Sequence, residues 1–240
     1  MVSMRWTWAR WGAMCRQAWH EGGRGGGREG RAYAAELAER GYVTISPAYT
    51  HLANYWPNLG KLGYVSGTMK AIYDNTRALD LLATLPYVGA TRGFGAIGHS
   101  LGGHNSLFTA VFDQRIRAVV TSCGFTPFHD YYGGKIAGWT SDRYMPRLRD
   151  RYGNDADRVP FDFYEVLTAI APRAVFINAP LRDSNFDVAG VKKVVAAVGP
   201  VYKLRQASQR LTVRYPDSAH DFPDDIRHEA YGWLREQLGK

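Results

Sequence analysis

At 240 residues the chain has the size of one open α/β domain, a class that commonly passes about two hundred residues without splitting. Its 45% hydrophobic and 22% charged residues exclude a disordered or fibrous chain, and no apolar stretch reaches the length of a membrane span. A net charge of +8 would suit a nucleic-acid binder, but residues 1–31 hold six Arg against Glu21 and Glu29, half of that excess, and no later helix carries a basic stripe or aromatics interleaved with basic residues.

Residues 1–30 form an atypical segment rich in Gly, Arg and Trp, with little strand propensity. It lacks the continuous apolar run of a signal peptide, so the expected location is cytoplasmic. From residue 31 to 240 the segments alternate between helical and strand-like character, the pattern of a parallel sheet covered by helices on both faces. Arg31 to Arg40 reads as a helix stopped by Gly41, and Tyr42 to Ala48 as a strand. Ser66 can cap a helix from Gly67 to Leu85, whose Met69, Ile72, Tyr73, Leu79 and Leu82 recur at helical spacing until Pro86 ends it.

Arg92 to His99 reads as a strand and Leu101 to Phe112 as a helix, with Ser100 in the tight turn between them. Further buried strands are predicted at Ile116 to Cys123, Ala174 to Ala179 and Leu211 to Tyr215, with helices at Val188 to Val198 and Asp224 to Leu238. Right-handed crossovers between these strands give a doubly wound, mostly parallel sheet whose strand C-terminal ends share one edge, where a site is expected. One region breaks the alternation: 124–162 is aromatic, glycine-rich and without period, and reads as a cap-like insertion or substrate loop. Cys15 and Cys123 lie far apart with no CxxC or His-rich neighbour, so neither zinc nor a disulfide framework is indicated.

Gly98-His99-Ser100-Leu101-Gly102 matches G-x-S-x-G, in which a serine sits on a strained strand-to-helix turn between small neighbours. The bare pattern is weak in a glycine-rich chain. The preceding strand and following helix give it meaning. A serine hydroxyl needs a base, and His220 lies in the loop after the last strand, over the same sheet edge. His99 is expected to point away from that edge, His104 belongs to the next helix, and His129 lies in the insertion. An acid should orient the imidazole. Asp183 follows its strand by a few residues. Asp187 is the rival, with capping of the next helix as its bland alternative, and Asp217 and Asp221 lie too near His220 in sequence to be favoured.

These residues resemble the α/β-hydrolase superfamily, and within it the dienelactone-hydrolase-like esterases, over roughly residues 31–240. The likeness rests on Gly98 to Gly103, on Asp183, and on Ser218-Ala219-His220-Asp221-Phe222. It implies a serine hydrolase that cleaves a small carboxylic ester or lactone through an acyl-serine intermediate, with no metal or organic cofactor. The catalytic trio is then Ser100, Asp183 and His220, with turnover falling on the acid side of neutrality as the imidazole protonates. Leu101 supplies one oxyanion-hole N–H. Trp19-His20-Glu21-Gly22-Gly23 looks like a degraded form of the loop giving the second, so Glu21 or Gly22 is the other donor.

The family's third strand lies between its fourth and fifth, and only Ala13 to Trp19 can fill that slot. Its first two strands find no counterpart, so the N-terminal strands read as truncated. An uncovered edge invites pairing with a second copy. A peptidase or thioesterase of the same fold stays open, as does a non-catalytic or damaged relative that only binds. A dinucleotide cofactor is disfavoured: Gly25, Gly27 and Gly30, and Gly93, Gly95 and Gly98, fit G-x-G-x-x-G, but the following strands lack the acidic residue that the fingerprint calls for.

Overall fold

A computed structural model of the chain describes residues 32–52 and 54–239. Four short apolar runs pair there as parallel strands in the spatial order β1 (Phe94–His99), β2 (Ile116–Ser122), β3 (Ala174–Asn178) and β4 (Leu211–Arg214). Seven α-helices accompany them among the described residues: α1 (Tyr33–Glu39), α2 (Gly67–Thr84), α3 (Leu101–Phe112), α4 (Arg147–Tyr152), α5 (Phe163–Ile170), α6 (Val188–Leu204) and α7 (Asp224–Gln237).

The two central strands are apolar almost throughout because both their faces are covered. In register, Val119 lies beside Val175 and Val120 beside Phe176. Strand alternation then divides them. Val119, Val175 and Ile177 enter a large core with Ile72 and Leu79 of α2, Leu107 of α3, Leu167 of α5 and Val194 of α6. Ala118, Val120, Ala174 and Phe176 face the other way, onto Leu37 of α1 and Tyr231, Trp233 and Leu234 of α7. Helices therefore cover both faces, and all four strands end on one edge. No helix among the described residues is long and apolar enough to cross a membrane.

Three expectations need correction. Tyr42 to Ala48 is not a strand: no ladder reaches it among the described residues, and Val43 and Ile45 are exposed. A strand needs a neighbour for its backbone groups, and the neighbour expected here, Ala13 to Trp19, lies outside the described residues, as does the whole segment 1–30. On α2, capped by Ser66 Oγ accepting from the Met69 N–H, Met69 and Tyr73 face solvent while Ile72, Leu79 and Leu82 are buried. The last predicted helix before β4 does not stop at Val198; α6 continues through Pro200. Pro200 removes one helical N–H, but Val198 and Tyr202 on either side of it are buried in the core, and packing outweighs one lost bond.

Residues 124–162 carry short helical turns and α4, and they add Phe125, Phe128, Tyr131, Ile136, Trp139 and Leu148 to the large core. Their aromatic rings surround His104, which is 0% exposed. Trp139 and Tyr144 lie 5.0 and 5.7 Å from its ring, with Phe108 of α3 at 4.5 Å. Its Nε2 is 3.2 Å from Thr68 Oγ1. Burial pushes the His104 pKa down to about 3. Between that value and the ordinary 6.5 the unfolded chain holds a proton that the folded one refuses, so stability is full above the ordinary value and is lost as pH falls toward the folded one. Urea midpoints should therefore fall through this window with a His104 contribution of about 1.4 kcal/mol per pH unit. His104→Phe should flatten that slope whatever it does to the absolute stability; an unchanged slope would refute the assignment.

Candidate active site

The turn between β1 and α3 is built by close backbone packing. A Cβ on Gly98 would overlap the carbonyl of Gly102, so the first turn of the helix crosses directly over the strand end. Gly102 itself has open space where a Cβ would go; its contribution is the backbone that Gly98 admits. One turn on, Gly103 faces Gly124 after β2, with a Cβ on Gly103 only 3.0 Å from the Gly124 Cα. Ser100 takes φ 52° and ψ −118°, a strained conformation for a residue with a side chain. It is held there by its N–H donating to the Ser122 carbonyl at 2.7 Å and its carbonyl accepting from the His104 N–H at 3.0 Å.

Asp183 and His220 arrive on two loops laced together beyond the ladder. The N–H groups of Ala179, Leu181 and Arg182 donate to the carbonyls of Arg214, Pro216 and Ser218 at 2.9, 2.9 and 3.0 Å. This lacing sets Asp183 against His220, whose Nδ1 lies 2.9 Å from both carboxylate oxygens. The Asp183 side chain is 1% exposed and that of His220 25%. Asp183 Oδ1 also accepts from the N–H groups of Asn185 and Phe186 at 2.8 and 3.0 Å. Burial alone would push this carboxyl up; the His220 bond and the two N–H groups outweigh it and hold the pKa below the usual carboxylate range.

Asp187 does what its bland alternative foresaw, capping α6 by accepting from the Ala189 N–H at 2.8 Å. Asp217 pairs with Arg182 on the surface, and His129 with Asp157. The His220 ring packs on His99, with centroids 4.9 Å apart, and on Phe186 at 5.8 Å. His99 thus does not point away from the site. As the last residue of β1 it leans toward the end of β2, where its Nδ1 meets Ser122 Oγ at 2.9 Å. His220 therefore lies against the residue preceding Ser100, although among the described residues no hydrogen bond joins the Ser100 hydroxyl to it. Such bonds often tighten only with substrate present.

The N–H of Leu101 opens α3 and meets no backbone carbonyl among the described residues. It lies at the positive end of the helix dipole, which favours an anion. The other predicted donor, Glu21 or Gly22, lies outside the described residues.

Several residues escaped sequence reasoning. Asn178 Nδ2 donates to Ser122 Oγ at 2.8 Å and to the Asp221 carbonyl at 2.9 Å, fixing the residue that follows His220 to the ends of β2 and β3. Cys123 Sγ donates to the same carbonyl at 3.3 Å, and burial, with Asp183 beside it, pushes this thiol up. Phe186 stacks on Trp139 at 5.6 Å and so joins the 124–162 region to His220. Their one common signal is position, at or just past the C-terminal end of a buried strand.

No family profile matches the chain. Over 172 residues it is 30% identical to YtaP of Bacillus subtilis (strain 168), a hydrolase by its provisional name, covering 70% of this chain and 53% of that one. Among solved structures, a carbohydrate esterase family 15 glucuronoyl esterase from Caldicellulosiruptor kristjansonii superposes with a TM-score of 0.62 at 18% identity, covering 72% of this chain and 51% of that one. The chain is an α/β-hydrolase by fold. Dipeptidyl peptidase 4 of Porphyromonas gingivalis shares the architecture at a TM-score of 0.50 and 19% identity, over 75% of this chain and 24% of that one. The chain spans about half the length of YtaP and of the esterase.

The strain at Ser100 has a measurable consequence. Ser100→Gly relieves a left-handed φ at the cost of a floppier unfolded chain, and the first effect, about 1–3 kcal/mol, exceeds the second, about 0.5–1 kcal/mol. The variant should melt a few degrees above the parent by calorimetry; a lower melting temperature would mean that the turn is unstrained.

Proposed function

We propose that this chain is a serine hydrolase that cleaves a small carboxylic ester or lactone through an acyl-serine intermediate. The observation that carries the reading is the buried Asp183 paired with His220 at 2.9 Å, at the sheet edge where Ser100 sits on its strained turn. A reaction that charges the imidazole gives the buried carboxylate a use, because an ionised Asp183 stabilises the imidazolium. Esterase names among proteins of the same fold agree with the ester class, and the provisional hydrolase name of YtaP agrees with hydrolysis.

In this scheme Ser100 Oγ attacks the carbonyl carbon and its proton passes to His220 Nε2. Asp183 stabilises the imidazolium through Nδ1, and the Leu101 N–H binds the oxyanion. The tetrahedral adduct collapses, the alcohol leaves with the proton from His220, and water repeats the sequence to free the acid.

Short-chain p-nitrophenyl esters and a fluorophosphonate probe test the scheme. Ser100→Ala and His220→Gln should lower kcat by at least about 10⁴-fold, with Asp183→Asn close behind, and the probe should label Ser100. Asp187→Ala should leave kcat near the parent value and cost about 1 kcal/mol of stability as a lost cap. Equal turnover by the parent and Ser100→Ala would end the reading.

A further inference from the structure

Beside the acid–base pair lie Cys123 and Asn178, which hydrolysis does not use. Cys123 follows β2 directly, and its Sγ, a carboxylate oxygen of Asp183 and a ring nitrogen of His220 all lie within 4.8 Å of one another. The ring nitrogen on the Asp183 side is Nδ1, at 2.9 Å from the carboxylate. Asn178, 1% exposed, lines a small cavity together with Cys123 and Asp183, and its Oδ1 accepts no hydrogen bond among the described residues. A thiol, an imidazole and a carboxylate beside an unengaged carbonyl oxygen form the mixed sulfur, nitrogen and oxygen set that zinc and cadmium favour and that magnesium and calcium do not.

We propose that Cys123, Asp183 and His220 form an inhibitory binding site for a thiophilic divalent cation such as Zn²⁺ or Cd²⁺, with Asn178 Oδ1 in reach as a fourth donor. Ligands bonded at about 2.0–2.3 Å lie about 3.5 Å apart across a tetrahedron. The cluster therefore has to contract by only about 1 Å, and the part-exposed His220 ring is the way in.

The chemistry of inhibition follows from the two nitrogens of one ring. The cation bonds Sγ, and the thiol proton leaves to solvent. It also takes the lone pair at Nδ1, so the single proton of the neutral imidazole moves from Nδ1 to Nε2. One proton is released per ion and no electron moves. With Nε2 protonated, no lone pair remains to accept the proton of Ser100, and turnover stops. Blockage of turnover rests on the hydrolase reading above; binding of the ion does not.

Titration of the metal-free protein with Co²⁺ tests the site without any substrate. A near-ultraviolet thiolate-to-cobalt absorption band should grow in the parent and equally in Ser100→Ala, and should be absent in Cys123→Ser. In weakly buffered solution Zn²⁺ should release about one proton per parent chain, a measurement that needs no variant. With an ester substrate, half-inhibition of Cys123→Ser should require at least about tenfold more Zn²⁺ than the parent. No band in the parent, a band that survives in Cys123→Ser, or equal inhibition of parent and variant would each overturn the proposal. A band in a protein without esterase turnover would uphold the metal site and defeat the hydrolase reading instead.

Discussion

A carboxylate almost wholly shut off from water cannot stay ionised unless something replaces the hydration it lost, and the arrangement around Asp183 follows from that requirement. The replacement comes from the His220 ring and from the N–H groups of Asn185 and Phe186. The two N–H groups come from the carboxylate's own loop, and the imidazole is available because the loops after β3 and β4 run side by side, joined by backbone bonds that extend the sheet beyond its strands. The charge thus fixes the two loops, and the loops fix the imidazole. Removing His220 would leave the buried Asp183 charge with one partner fewer, at a cost in stability.

The other half of the site is held by contact instead of charge. Gly98 under Gly102, and Gly103 against Gly124, bring α3 down onto the ends of β1 and β2 until backbone meets backbone. That closeness leaves Ser100 no route from strand to helix except through a left-handed conformation. The cost, about 1–3 kcal/mol, is small beside the burial of Leu107 and Phe108 from the same helix. A rigid core therefore stores strain at its rim.

Much of this was legible in the residues because the same positions satisfy several constraints together. β1 through β4 read correctly since their apolar runs are short, β-rich and bounded by turn residues, and Ser66 and Asp187 announced their caps. Asp183 could be preferred over Asp187 because only one of them starts a helix. The failures were of two kinds. Tyr42 to Ala48 has strand composition, but a strand exists only with its neighbour, and composition does not say where the neighbour is. His99 and Phe186 bear on the base through contacts made across the sheet edge. Pairing of loops from distant parts of the chain decides those contacts, and no local period records it.

The order of charges along the edge decides how well such a site can work. In the proposed reaction a negative oxygen develops near Leu101, a positive imidazolium at His220, and a negative carboxylate waits at Asp183. Each charge then lies between opposites, with the positive end of α3 closing the row beyond the oxyanion. In water the gain would be slight; at a partly buried edge each neighbouring attraction grows several-fold. One missing oxyanion donor costs about 10²–10³ in rate, a loss that subtracts from the sequence of charges without undoing it. The fold supplies that sequence before any substrate arrives, because strand ends, helix start and laced loops meet on a single rim. Parallel pairing of β1 to β4 is what makes them meet.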